Sequence, residues 1–387
     1  MQQKHSKRSV AIFLVSAVVM QLLLFLLCVM IYETAVAAFG VANPELEVLA
    51  LLLSLTFISA SFLVTVADNA ATRAYYRFTG AWFAFVAPLC AASAAFVVIE
   101  DVFPLWGWII TPATAGVIVF GAAAAIGFYG IWNGLRVRVT RVSVVLPGLP
   151  ETWQGRRGVF FSDVHLGPLR GAGLARQIVR RVQEQDPSFI IIGGDLFDGT
   201  KCDAEKCIAP LAALRAPDGV YFVSGNHEYI RESDRFFDAI RNAGIRILKN
   251  EKITIDGVKL AGVDWRDTHH AKDFAAVLRS FADDGNGPSI LVRHVPSDLS
   301  VAEEAGFSFQ LSGHTHQGQF WPLSLATKRF YGGFDYGLRR FGNMAVYTSS
   351  GVGTWLSPFR IGTRAEVVVM EFTGGAVAVP APVDKKP

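Results

Sequence analysis

The N-terminal part of the chain carries four long uncharged apolar runs, Val10–Tyr32, Val48–Ala67, Gly80–Ile99 and Leu105–Trp132. Each is long enough for a helix to cross about 30 Å of hydrocarbon. A backbone in lipid must satisfy its own hydrogen bonds, so helix is the reading for all four. Pro88 and Pro112 would break soluble helices but are tolerated in membrane spans. The charges between the runs alternate. Lys4, Lys7 and Arg8 precede the first run, and Glu33, Glu45 and Glu47 follow it without a Lys or Arg. Arg73 and Arg77 sit in the second loop, Glu100 and Asp101 in the third, and Arg136, Arg138 and Arg141 after the fourth run. The positive-inside rule then predicts a multi-pass protein of the inner or cytoplasmic membrane, with both termini and the rest of the chain on the cytoplasmic side. Cleavage of the first run as a signal peptide after Ala35-Val36-Ala37 is the alternative, but the run is long for that purpose. No charged residue sits mid-span, so the helices read as an anchor rather than an ion pathway.

From Arg136 the periodicity changes. Residues 136–145 alternate with period two, as a strand does. Short apolar runs then end repeatedly on polar clusters: 158–162 before Asp163, 189–192 before Gly193-Gly194-Asp195, 220–224 before Gly225-Asn226-His227, 290–292 before His294, and 307–312 before Gly313-His314. Between them, 174–185, 204–214, 233–243 and 274–281 carry helical spacing. Asp256-Gly257 marks a hairpin between 253–255 and 259–263. Final strands are expected at 345–349 and 366–372. Strands alternating with helices argue for an α/β layered domain, and polar clusters at the carboxyl ends of strands lie where such sheets place their sites. The domains expected are thus a transmembrane region over 1–135, a catalytic domain over 136–374 and a polar, Pro-rich tail over 375–387.

Composition sharpens this division. Mean hydropathy is +0.35 and charged residues are 18%, against about 25% in soluble domains, as expected if part of the chain lies in lipid. A net charge of only +3 gives no general case for nucleic acid, which would need a clustered basic face. Cys28, Cys90, Cys202 and Cys207 read as free thiols, since neither a disulfide framework nor a zinc-ribbon spacing is present.

Five of the eight histidines fall in the strand-end clusters. Asp, His and Asn together offer mixed oxygen and nitrogen ligands, which suit Mn, Fe or Zn better than Ca or Mg. Two ions about 3.5–4 Å apart need a bridging carboxylate. Asp195, preceded by a glycine that lets backbone approach closely, is the natural bridge.

The ordered set Asp163-x-His165, Gly194-Asp195-x-x-Asp198, Gly225-Asn226-His227-Glu228, His294 and Gly313-His314-x-His316 resembles the calcineurin-like metallophosphoesterase family over about residues 136–374. The resemblance implies a four-layer α/β/β/α sandwich. It implies that Asp163, His165 and His316 hold one divalent metal, that Asn226, His294 and His314 hold a second, and that Asp195 bridges them. It implies that His227 sits over the bound phosphate and donates a hydrogen bond or proton. Manganese is the expected metal, with Fe or Zn as the other candidates. Asp198 and Glu228 could orient histidines or serve as plain polar loop residues.

Residues 351–360 resemble the glycine-rich return segment of a membrane-associated branch, that of the YkuE- and YaeI-like phosphodiesterases, although Ala365 stands where members often have Pro before the Glu. That branch includes enzymes cleaving UDP-2,3-diacylglucosamine. The expected function is therefore hydrolysis of a phosphodiester or pyrophosphate bond, with a lipid-linked substrate and membrane lipids as partners. A tethered enzyme for soluble substrates and a non-catalytic membrane scaffold are the alternatives. Trp321, Leu323, Leu325, Phe330, Phe334 and Trp355 are candidates for an acyl-chain groove, or else are core. Arg360 is expected on substrate phosphate or in a surface salt bridge. Arg170, Arg176, Arg180 and Arg181 give the first soluble helix a basic side for anionic headgroups or for solvent. His269 and His270 read as surface loop residues.

Overall fold

A computed structural model describes residues 7–200, 202–230, 233–281 and 287–375. Beyond Gly375, the expected tail lies outside the described residues. The chain divides into two compact units, Met1–Trp132 and Asn133–Pro387.

The first unit is built on helices α1 (Lys7–Phe39), α2 (Pro44–Val66), α3 (Ala70–Val97) and α4 (Pro112–Leu135). All four are long and apolar enough to cross a membrane. They outrun the uncharged stretches because the helical hydrogen-bond ladder need not stop where hydrocarbon does. The Asn43 side chain accepts from Glu45 N–H and caps α2. Asn69 and Thr72 form a capping box that opens α3 ahead of Arg73 and Arg77, and Arg73 pairs with Asp68. The fourth helix begins at Pro112 rather than Leu105, because residues 103–106 form a 3₁₀ turn closed by Gly107 in the left-handed region. Pro112, with no N–H to leave unpaired, suits a first helical position.

The second unit has strands β1 (Val137–Leu146), β2 (Arg157–Phe161), β3 (Phe189–Ile192), β4 (Val220–Phe222), β5 (Arg246–Ile247), β6 (Glu251–Ile255), β7 (Val258–Gly262), β8 (Ser289–Val292), β9 (Phe309–Ser312), β10 (Gly337–Phe341), β11 (Met344–Thr348) and β12 (Ala365–Gly374). Its helices are α5 (Ala172–Gln183), α6 (Ala204–Ile208), α7 (Ser233–Asn242), α8 (Trp265–Thr268), α9 (Ala271–Ser280), α10 (Leu299–Glu304) and α11 (Leu323–Phe330). Two six-stranded sheets form, in the orders β1-β12-β2-β3-β4-β5 and β10-β11-β9-β8-β7-β6. In the first, β2 to β5 are parallel, while β12 runs antiparallel to β2 and parallel to β1. In the second, β7, β8, β9 and β11 are parallel and the edge strands β6 and β10 are antiparallel.

Alternation of side chains assigns the layers. On β2 and β3, Val159, Phe161, Ile190 and Ile192 face the core shared with α5, α6 and α7, whereas Phe160, Phe189 and Ile191 meet Ile290, Val292, Phe309 and Leu311 of the other sheet. Val263, Leu291, Val346 and Met344 pack against Phe274, Leu278 and Leu299 on the far side. The result is the four-layer α/β/β/α sandwich. Strands buried on both faces read as continuous apolar runs with no period.

Candidate metal centre

The carboxyl ends of β2, β3, β4, β8 and β9 bring the predicted ligands to one place. Asp163 and His165 follow β2, Asp195 follows β3, Asn226 and His227 follow β4, His294 follows β8, and His314 and His316 follow β9. Five of these residues hold left-handed backbone: Asp163 (φ 54°), His165 (51°), Asp195 (51°), His314 (69°) and His316 (48°). Non-glycine residues reach that region at a cost of roughly 1–2 kcal/mol each. Such strain concentrates where surrounding structure dictates side-chain direction.

Three overlapping groups of ligand atoms result, each with its atoms within 4.8 Å of one another: Asp163, His165 and His316; His165, Asp195 and His227; and Asp195, His294 and His314. Asp195 belongs to two of the three. His165 Nε2 and His316 Nε2 are 3.0 Å apart, and His316 Nε2 is 3.6 Å from Asp163 Oδ1. His294 Nε2 lies 3.2 Å from Asp195 Oδ2 and 4.0 Å from Asp163 Oδ1. Its Nδ1–H donates to Gly193 O at 2.7 Å, which directs Nε2 at the two carboxylates. Among the described residues, His294 Nε2 and Asn226 Oδ1 are buried and lack a hydrogen-bond partner. Buried polar atoms are rarely left so. This donor set of buried carboxylates, imidazoles and one amide oxygen fits divalent cations that accept mixed N and O ligands.

The electrostatics suit the same chemistry. Burial opposes ionisation of Asp195, but His294, His227 and His165 outweigh it and hold its carboxyl well below the usual range. Burial, with Asp195 adding to it, pushes Asp163 up to about 6, against the pull of His294. Burial also disfavours charge on His294, yet Asp195 and Asp163 overcome it and raise the group to about 10. Burial and then neighbouring histidines lower His165 to about 3, and burial and His294 lower His314 to about 4. His316 falls well below its usual value, through burial and His165. These three are therefore neutral at physiological pH, the form in which imidazole binds metal.

His227 stands differently. Its Nδ1–H donates to the Asp198 backbone carbonyl at 2.8 Å, so its Nε2 faces inward, 4.0 Å from Asp195 Oδ2. Its ring meets His165 edge-on at 4.6 Å. Asp198 thus orients His227 through its main chain, while its carboxylate binds Thr200 N–H and Oγ1.

Glu228 is fully buried, and its carboxylate bonds to backbone N–H groups rather than to a histidine side chain. Its Oε2 accepts the N–H groups of Asp195 (3.0 Å) and Gly225 (2.8 Å), and its Oε1 those of Leu196 (2.8 Å) and Phe197 (3.2 Å). One carboxylate therefore ties the β3 loop to the β4 loop. Those loops approach so closely that a Cβ on Gly225 would lie 2.2 Å from Asp195 Oδ1, and one on Gly313 2.4 Å from Asp163 Oδ2.

The expectations for Arg360 are both corrected. Its guanidinium is fully buried and donates to the backbone carbonyls of Ser350 (2.7 Å), Gly353 (2.8 Å) and His316 (3.3 Å). It is neither a surface pair nor a phosphate ligand, but a brace between the His316 turn and the glycine-rich return segment. That segment runs beneath Asp163: Val352 N–H donates to Ser162 O and Gly353 N–H to Asp163 O. Glu366, also fully buried, fixes its start by accepting from Ser350 N–H, Tyr347 Oη and Thr140 Oγ1. Phe334 is core, whereas Trp321, Leu323, Leu325, Phe330 and Trp355 are exposed. Arg170 precedes α5 and is buried, donating to Gly134 O. His269 is exposed, stacks on Trp265 and, with it, lines a cavity of about 230 Å³ that reaches His294 and His314.

Comparison with known proteins agrees with this geometry. Residues 157–318 match the calcineurin-like phosphoesterase family. A zebrafish (Danio rerio) transmembrane protein with metallophosphoesterase domain is 31% identical over 63% of this chain and 59% of its own length. The bovine (Bos taurus) protein of the same description is 30% identical over 88% of this chain and 80% of its own. The metallophosphoesterase YkuE of Bacillus subtilis is 26% identical over 66% of this chain and 93% of its own. The chain thus spans about three fifths of the zebrafish relative and four fifths of the bovine one. With the ligand-rich strand ends, the two-sheet sandwich and the four apolar helices all in place, this chain belongs to the calcineurin-like metallophosphoesterases, the metal-dependent phosphoester hydrolases, and to their membrane-associated members.

Proposed function

We propose that this protein hydrolyses phosphodiester or pyrophosphate bonds of a lipid-linked substrate, of the kind UDP-2,3-diacylglucosamine represents, at the cytoplasmic face of the membrane. The observation that carries the reading is the set of three overlapping ligand groups, two of which contain Asp195. Asp163, His165 and His316 would hold one divalent cation and Asn226, His294 and His314 a second, with Asp195 a ligand common to the two and manganese the first choice. Such a cation pair supplies Lewis-acid charge for the phosphoryl oxygens and a water acidic enough to attack at neutral pH.

The chain's own residues do the rest. His227, oriented by the Asp198 carbonyl, presents Nε2 over the site. In its doubly protonated form it donates to a phosphoryl or leaving-group oxygen. Glu228 and Arg360 hold the loops so that the ligands keep their spacing. The four apolar helices and the exposed Trp321, Leu323, Leu325, Phe330 and Trp355 favour a lipid-linked substrate over a soluble one. The alternation of basic loop residues favours the cytoplasmic orientation.

The test is a product assay on detergent-solubilised full-length protein with Mn²⁺. UDP-2,3-diacylglucosamine would be offered beside bis-p-nitrophenyl phosphate. UMP and lipid monophosphate, absent with Asp195→Ala, are the expected products. Cleavage of the control diester alone would leave the phosphoesterase chemistry and remove the lipid substrate.

A further inference from the structure

A second cavity, of about 680 Å³, lies in the catalytic unit between α7, β5 and α8, and none of the proposed metal ligands lines it. Pockets for small organic molecules run from about 300 to 1,000 Å³. Four cations line this one, Arg241, Arg246, Lys249 and Arg266, against two carboxylates, Asp234 and Asp238. Nothing in the hydrolytic reading uses any of them.

Two of the cations are held by rings. Tyr229 and Phe237 line the same cavity and meet edge-on, their centroids 5.6 Å apart. The Arg266 guanidinium lies 4.0 Å from the centre of the Tyr229 ring, and the Lys249 ammonium 6.0 Å from that of Phe237. A ring face positions a cation without occupying its N–H groups. The carboxylate nearest Lys249 is Asp264, at 3.8 Å, beyond hydrogen-bond reach. That oxygen is already an acceptor for Ser224 Oγ and Tyr229 Oη. The other two cations are paired, Arg241 with Asp238 and Arg246 with Glu251, through side chains all at least 40% exposed. Exposed pairs of this kind hold weakly, so a ligand of higher charge can take their donors.

We infer that this cavity binds a small organic polyanion, with phosphate or carboxylate groups on Lys249 and Arg266 and on the outer Arg241 and Arg246. The excess of cations selects negative charge, and the volume selects an organic molecule over a bare ion. A guanidinium set flat on a ring still offers its N–H edge, which grips either anion with two parallel hydrogen bonds. The inference is independent of which bond the metal centre cleaves.

The test is calorimetric titration of the full-length protein in detergent. The probes are adenosine 5′-(α,β-methylene)diphosphate, whose P–C–P bridge resists hydrolysis, and tricarballylate. Binding of the first alone would assign phosphate groups, and of the second alone carboxylates. Lys249→Ala and Arg266→Ala should each weaken binding about tenfold or more. Asp238→Asn removes the counter-ion of Arg241 and should tighten it, by up to about fivefold, a gain that damage to the fold would not produce. Lys328→Ala, on α11 away from the cavity, should change nothing. An affinity unmoved by the three cavity variants would put the probe elsewhere and overturn the proposal, as would failure of both probes to bind.

Discussion

The carboxylate of Glu228 accepts the backbone N–H of Asp195 at 3.0 Å, so the residue proposed to bridge two cations is set in place by its own amide. Each oxygen of that carboxylate serves two N–H groups. Glu228→Gln keeps the shape but turns an NH₂ toward two of these donors. Each donor left unpaired in a buried place costs about 1–3 kcal/mol. A lower Tm and roughly 10–100-fold weaker metal binding are expected, read by thermal unfolding and by titration with Mn²⁺. Unchanged values for both would remove Glu228 from this role.

Asp195→Ala and His227→Ala should separate binding from turnover. Asp195 belongs to two ligand groups, so its loss should empty the site and abolish activity. His227 is held by a main-chain carbonyl and projects inward. His227→Ala should keep the metal content and lose about 10²–10⁴ in kcat. Elemental analysis beside a diester assay decides, and full activity in either variant would contradict the assignment.

Removing divalent ions with a chelator should abolish turnover and lower Tm, because a ligand that binds only the folded state stabilises it by mass action. Among the described residues, the buried Asn226 Oδ1 and His294 Nε2 lose a partner when the ions leave. Adding Mn²⁺ back should restore both readouts. A Tm indifferent to the chelator would count against the buried donors as ligands.

Asp198 gives a prediction in pH. Burial raises its carboxyl to about 6, against the hydrogen bonds from Thr200. A carboxyl whose folded value lies above its unfolded one favours folding below the unfolded value, and that advantage is lost as pH rises through the folded one. Asp198→Asn keeps an acceptor for Thr200 and cannot ionise. The variant should therefore gain on wild type between about pH 4 and pH 6 and hold the gain above that, up to about 3 kcal/mol. Unfolding at pH 4 and pH 8 measures it, and an equal difference at both would refute the burial argument.

Arg360→Met leaves the carbonyls of Ser350, Gly353 and His316 without their buried donor. The side chain stays charged at neutral pH, since burial lowers it only to about 10. A loss of about 1–3 kcal/mol for each carbonyl left unsatisfied is expected, together with weakened metal binding. Denaturant unfolding of the catalytic unit is the measurement.

Much of this was readable in sequence because the chemistry sits where strands end. Phe189–Ile192 and the polar Gly194-Asp195 after it were visible as a buried strand and its site loop. The α/β layering followed from the alternation of strand and helix, and the four-layer order from the family resemblance. Elements whose signals are short or broken were not visible. Two-residue β5 has no period to detect, and Pro210 turns the expected 204–214 helix into α6 followed by a 3₁₀ turn. Leu338 and Phe341 on β10 are framed by Gly337 and Gly342, and that edge strand went unread. The supports were the least legible part. Nothing local distinguishes Glu228 or Arg360 from exposed charges, because their partners are backbone groups brought near only by the fold.

The left-handed backbone at Asp163, His165, Asp195, His314 and His316 sets stability against activity. Glycine at any of the five would relax the main chain and remove a ligand in one step. Each of these five proposed ligands is thus also a site at which the fold alone would do better with no side chain. A search for hardier variants that ignored turnover would drift toward glycine at these five positions, and would arrive at a sturdier sandwich with no catalytic centre.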